Sequence, residues 1–99
     1  MRIPIGSISD LGAAIRAVRR FSHVRIDDLA STAGVSKQFT QDVEHGKSTV
    51  QFDRVLKLLT ELGISLEADI PDEIARRLAN PPSQLEGART PLPRKKQRI

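Results

Sequence analysis

Hydrophobic positions along the chain fall into three-and-four spacing first and strict alternation later, and the change of period divides it. Leu11, Ala14, Ile15 and Val18 follow Ser7-Ile8-Ser9-Asp10 at helical spacing. Ser7 is the expected N-cap, with Asp10 as capping-box partner and first-turn anion, and the helix fades near Phe21-Ser22. A second, shorter helix is predicted from Ile26 to Ala33, with Asp27 and Asp28 in its first turn and Leu29, Ala30 and Ala33 inward. Gly34 stops it, because a sharp C-terminal turn needs a residue that accepts positive φ. Ser36 caps a third helix running through Glu44 to His45-Gly46. A fourth follows a Ser48-Thr49 start; Phe52, Val55, Leu56, Leu59 and Leu62 form the strongest apolar stripe in the chain, and Gly63 ends it.

Beyond Gly63 the period becomes two. Ile64, Leu66, Ala68 and Ile70 alternate with Ser65, Glu67 and Asp69, the pattern of a half-buried strand. A single strand in a helical chain needs a partner, and its own copy in a second subunit is the simplest one. Ile64, Leu66, Ala68 and Ile70 are therefore the expected dimerisation residues. Pro71-Asp72-Glu73 then opens a short helix, with proline at its first position, acids in the first turn, Arg76-Arg77 in the last, and Asn80-Pro81-Pro82 closing it. From Ser83 onward proline, polar and basic residues dominate without periodicity, a composition expected to stay disordered unless bound. The expected fold is all-α: a compact four-helix domain, one C-terminal β-strand pairing across a homodimer, and a short extra helix. The corresponding divisions are a four-helix and dimerisation domain at 7–70, a helix at 71–80 and a basic tail at 81–99.

Composition narrows the function. A chain of 99 residues, 38% of them apolar, builds one small core plus a tail, and dimerisation is a common way to extend such a core. Cysteine is absent, which removes disulfides, thiolate zinc sites and thiol catalysis together. No apolar run approaches the roughly 18 residues that span a bilayer, and no signal-peptide core is visible near the N-terminus. A soluble, cytoplasmic protein with no membrane partner is expected. The net charge of +4 is a sum of unlike parts. Residues 1–58 hold nine basic and six acidic residues, 59–84 two and five, and 85–99 five and one. The excess thus equals the charge of the last fifteen residues, so charge alone does not argue for a DNA-binding fold.

Spacing does. From Asp28 to Glu44 two short helices flank a glycine turn, with Ala30 small where helices cross and Val35 and Val43 as apolar anchors. This is helix-turn-helix spacing, backed by the fourth amphipathic helix. The second helix of such a pair enters the major groove N-terminus first, where its free N–H groups favour phosphate and its outward side chains meet base edges.

Residues 7–70 resemble the Xre (Cro/cI-type) helix-turn-helix repressors. The run Phe39-Thr40-Gln41-Asp42-Val43-Glu44-His45-Gly46-Lys47-Ser48-Thr49-Val50, followed by Val55-Leu56-Lys57-Leu58-Leu59 and Leu62-Gly63, resembles the HipB-type subgroup. That resemblance implies a bacterial, nucleoid-associated antitoxin that represses its own operon, with a HipA-type Ser/Thr kinase as partner toxin and a terminal strand pairing across the dimer. Two positions depart from the family. Arg25-Ile26 stands where Thr-Gln commonly opens the second helix, which places Asp27 and Asp28 near the DNA side. Thr40 stands where the third helix usually buries isoleucine, tolerable if its hydroxyl bonds a backbone carbonyl one turn earlier.

On this reading Lys37, Gln38 and Gln41 face base edges, where a good bidentate contact is worth about 1–3 kcal/mol of discrimination. Asp42 beside them fits a local ion pair better than a cytosine reader. Ser36 both caps the helix and meets phosphate, and Lys47, Ser48 and Thr49 meet phosphate after it. Among Arg19, Arg20 and Arg25 at least one is expected at phosphate, Arg25 foremost, with a pair to Asp27 or Asp28 as the equal alternative. Phe39 is expected to be partly buried. His23 and His45 are too isolated for a metal site, and Glu67, Asp69, Asp72 and Glu73 read as a solvated face. No catalytic constellation is apparent, so no enzyme activity, cofactor, metal or small-molecule substrate is expected. The cluster Arg94-Lys95-Lys96-Gln97-Arg98 could track DNA, dock on an acidic toxin or serve solubility. The expected partners are double-stranded operator DNA with a palindromic site, a second copy of the chain, and a HipA-like kinase toxin. Two rival readings are an interaction module whose main ligand is the toxin, and a phage or chromosomal repressor with no toxin.

Overall fold

The computed structural model describes residues 1–79. Helices α1 (Ile8–Phe21), α2 (Ile26–Ala33), α3 (Lys37–Glu44) and α4 (Phe52–Leu62) build one compact unit, residues 1–66, and α5 (Asp72–Ala79) belongs to a second that begins at Glu67.

Local chemistry sets the helix ends. Ser7 Oγ accepts from the Asp10 backbone N–H at 3.1 Å, and Asp10 Oδ2 accepts in turn from the Gly6 N–H at 2.8 Å. The reciprocal bond therefore lands one residue before the cap, a variant of the capping box. Gly34 adopts φ 74° as the C-cap of α2, so that its N–H donates to Ser31 O and the Val35 N–H to Ala30 O at 3.0 Å. Two helix-end carbonyls are satisfied this way, and the chain turns directly into α3. The start of α4 differs from expectation. Ser48 and Thr49 lie in a turn, and Gln51 takes the N-cap without a side-chain bond.

Leu11, Ile15, Leu29, Ala33, Val43, Val55, Leu58 and Leu59 form the core, with Ile8, Val24, Val35, Phe39, Val50, Leu62 and Ile64 packed around it. Along α4 the inward repeat is Val55, Leu58, Leu59 and Leu62, whereas Phe52 and Leu56 remain 51% and 38% exposed. At 3.6 residues per turn Leu56 points about 100° away from Val55, so the stripe expected from sequence is two stripes, one inside and one at the rim. Ala30 is buried as expected, yet the crossing that admits no side chain at all lies at Gly12. A Cβ there would collide with the carbonyl oxygen of Val43 and come within 3.1 Å of that of Glu44. Thr40 is fully buried, and its Oγ1 donates to Ser36 O at 3.0 Å. The hydroxyl thus finds the carbonyl one turn earlier that its position demands.

Residues 64–70 carry no strand pairing, and no second strand exists among the described residues to supply it. Ile64 packs on the core and Leu66 is 46% exposed. Ala68 is exposed and Ile70 half-buried. In α5 the acids and arginines fall at the expected ends. The Pro71 carbonyl accepts from the Ala75 N–H at 3.0 Å, so the proline precedes the helix rather than forming its first residue. Asn80-Pro81-Pro82 and the basic tail lie outside the described residues.

Candidate nucleic-acid interface

Packing decides which side of α3 is available. Thr40, Val43 and Glu44 are buried, and Phe39 is half-buried against the core. Lys37 and Gln38 are exposed and Gln41 is half-buried on the opposite side. Ser36 caps the helix, its Oγ accepting from the Phe39 N–H at 3.0 Å. Lys47, Ser48 and Thr49 are exposed in the turn that follows. The outer side of α3 thus carries Lys37 and Gln38 with Gln41 half-buried beside them, preceded by Ser36, and Arg25, Lys47, Ser48 and Thr49 are exposed in the flanking segments.

Carboxylates hold four of these eight side chains. Lys37 Nζ lies 3.1 Å from Asp27 Oδ1, and Arg25 Nη2 lies 3.7 Å from the other oxygen of the same carboxylate. The hydrogen bond from Lys37, reinforced by its charge, holds the Asp27 carboxyl below the usual carboxylate range. Gln38 Nε2 donates to Asp42 Oδ1 at 2.9 Å, and Lys47 Nζ sits 3.6 Å from Asp42 Oδ2. Asp42 is thus a local partner, as expected, and Arg25 lies against Asp27, one of the two alternatives open to it. Among the described residues Gln41 makes no side-chain hydrogen bond.

Arg19 lies elsewhere than expected. Its Nε and Nη2 donate to the two carboxylate oxygens of Glu44 at 2.7 and 3.0 Å, and its Nη1 donates to Val24 O at 3.0 Å. The side chains are only 14% and 3% exposed. Bonding to Glu44 pushes the guanidinium pKa up, against the opposing effect of burial. Arg19 is therefore committed to the interior, and neither Asp27 nor Asp28 pairs with it. The signal for this pair was present in the spacing: Thr40, Val43 and Glu44 form a three-and-four repeat, which puts a carboxylate on the buried face, where it needs a cation.

His23 and His45 are both exposed. No cluster of three metal-ligating side chains occurs among the described residues, and no helix there is long and apolar enough to cross a membrane. Leu66, expected at a dimer contact, lines an open groove with Ile5, Ile8, Val50 and Phe52.

Two short helices at a glycine turn, a third and fourth packed behind them, and a polar outer face on the second define a helix-turn-helix domain. No family model matches the chain. It is 43% identical over 65 residues to the HTH-type transcriptional regulator y4mF of Sinorhizobium fredii, covering 66% of this chain and 86% of that protein. The chain belongs to the HTH-type transcriptional regulators. Its fold is that of HipB. In structures of a HipA-HipB-O2-O3 complex and a HipB-O4 20mer complex the match has a TM-score of 0.65 at 20% identity, covering 70% of this chain and 97% of the matched one.

Proposed function

We propose that the protein is a sequence-specific operator-binding repressor that acts as a homodimer, and that it is the antitoxin of an operon encoding a HipA-like kinase. The observation that carries the DNA reading is the face of α3: Lys37, Gln38 and Gln41 point outward from a helix whose inner side is locked by Thr40, Val43 and Glu44. Lysine suits the two acceptors of guanine and glutamine the acceptor-donor pair of adenine. Ser36, Lys47, Ser48, Thr49 and Arg25 are assigned to phosphate on the operator, where Arg25 leaves Asp27. The toxin partner is carried over from the HipA-HipB complex that shares the fold.

Dimerisation has its own support. The groove lined by Ile5, Ile8, Val50, Phe52 and Leu66 has a volume of about 350 Å³, and Leu66 is one of the alternating apolar residues. A second copy pairing strand to strand at 64–70 covers that apolar surface. Two recognition helices related by a two-fold axis then read half-sites about 10 bp apart.

Selection from randomised duplex with the full chain tests this reading. Enrichment of a palindrome, lost on Lys37→Ala and Gln38→Ala while random-duplex binding persists, supports it. Equal binding of the enriched and random duplexes by parent and variants refutes it. Phe52→Glu should convert the dimer to monomer in sedimentation and weaken the enriched duplex most. The Asp27 carboxylate on the same face favours one rival, a module whose main ligand is the toxin. Capture of the kinase without any duplex preference would establish that rival.

A further inference from the structure

Asp27 stands among groups assigned to DNA, where a negative charge opposes phosphate. It is half exposed, and its two oxygens face Lys37 Nζ at 3.1 Å and Arg25 Nη2 at 3.7 Å. It does not cap its own helix: the N-cap of α2 is Arg25, with no side-chain cap bond. Among the described residues its polar partners are those two cations alone. Asp28, the next residue, shares the first turn of α2 but has no cationic partner among the described residues.

We infer that Asp27 is a specificity-determining residue, an internal counter-ion that withholds Lys37 and Arg25 from phosphate and so suppresses binding to DNA of the wrong sequence. The inference rests on the operator-binding reading above. Non-specific binding comes from cations that neutralise phosphates and release counterions, and its salt slope is about −0.9 per phosphate neutralised. A carboxylate on the same chain competes for those cations at high effective concentration, with no association cost. A phosphate oxygen therefore offers Lys37 little that Asp27 does not already provide. A guanine edge offers two acceptors at once, so Lys37 gains by leaving Asp27 only where that base is present. On any other sequence the pair stays closed, and the carboxylate adds repulsion toward the backbone. Discrimination then comes partly from penalising the wrong partner.

The test compares the full-length parent, Asp27→Asn and Asp28→Asn by fluorescence anisotropy. The probes are a random-sequence duplex of about 24 bp and the duplex enriched on the parent, each titrated from roughly 50 to 200 mM salt. Asp27→Asn should bind the random duplex about three- to tenfold more tightly, with a salt slope steeper by about one to two. Its preference for the enriched duplex should fall. Asp28→Asn removes the same charge from the neighbouring residue and should keep the parental slope. A parental slope in Asp27→Asn, or an equal change in Asp28→Asn, overturns the inference while leaving operator binding intact. If the parent enriches no duplex and none of the three proteins binds DNA at the lowest salt, the operator-binding reading falls and takes this one with it.

Discussion

Replacing Arg19 by methionine leaves the Glu44 carboxylate, whose side chain is 3% exposed, without either of its donors. Breaking a buried pair from one side costs about 3–5 kcal/mol, because an uncompensated charge stays behind. The bond from Arg19 Nη1 to Val24 O is lost as well, a further loss of about 1 kcal/mol. Domains of this size hold about 0.05–0.15 kcal/mol of stability per residue, so the variant should lose a third or more of the total. Urea unfolding followed by far-UV circular dichroism reads this as a lower midpoint at unchanged slope. A second variant separates the charge from the packing. In Arg19→Met with Glu44→Leu the stranded carboxylate is gone, and replacing a buried ion pair by apolar groups is often neutral or favourable. The double variant should therefore recover most of the loss. A single-variant cost below about 1 kcal/mol, the value of an exposed pair, would refute the interior role of this contact. So would a double variant less stable than the single one.

Gly12→Ala should destabilise by about 1–3 kcal/mol through the collision with the Val43 carbonyl. Helix propensity alone would stabilise by about 1 kcal/mol, so the sign of the shift in thermal midpoint decides the matter. Thr40→Val should change stability by less than about 1.5 kcal/mol in the same melt, because the lost hydroxyl bond leaves Ser36 O still accepting the residue 40 N–H. Asp27 should titrate below the ordinary carboxylate range by carboxyl NMR, and Lys37→Ala should return it toward that range. Since its folded value is depressed, its small contribution to stability is complete above the ordinary range and disappears as pH falls through the lowered value.

The legible parts of the fold were those announced by local chemistry. Ser7 and Ser36 cap because a hydroxyl at that position meets an unpaired N–H, and Gly34 turns because only glycine accepts its φ cheaply. Leu29, Ala30 and Ala33 were placed inward by period alone. Where several residues of the right type competed, local reading failed. Ser48 and Thr49 look like caps, yet α4 starts at Phe52, and Phe52 and Leu56 share the composition of the stripe but not its angle. Gly12 carried no turn signal, since its role is a steric one between helices distant in sequence. The outward residues of α3 follow from the motif, and so does Asp42 as a local partner, but the pairing of Lys37 with Asp27 does not. Asp27 and Lys37 meet only once the α2–α3 turn closes, and Arg19 meets Glu44 only across the α1–α3 crossing.

That crossing also governs the aim of the outer face. Gly12 seats α1 against the last turn of α3, and Arg19 grips Glu44 in the same turn. The two contacts act like a key in a shaft, setting the rotation of α3 about its own axis. Each residue subtends about 100° on that axis, so a turn of a few tens of degrees would swing Gln41 toward the core or carry Lys37 away from the outer face. The angular setting of the outward side chains proposed to face bases is thus held from behind, by residues on the buried side of α3. On the operator-binding reading, substitutions at Gly12, Arg19 or Glu44 mild enough to preserve folding retune which bases are read while every base-facing residue stays in place.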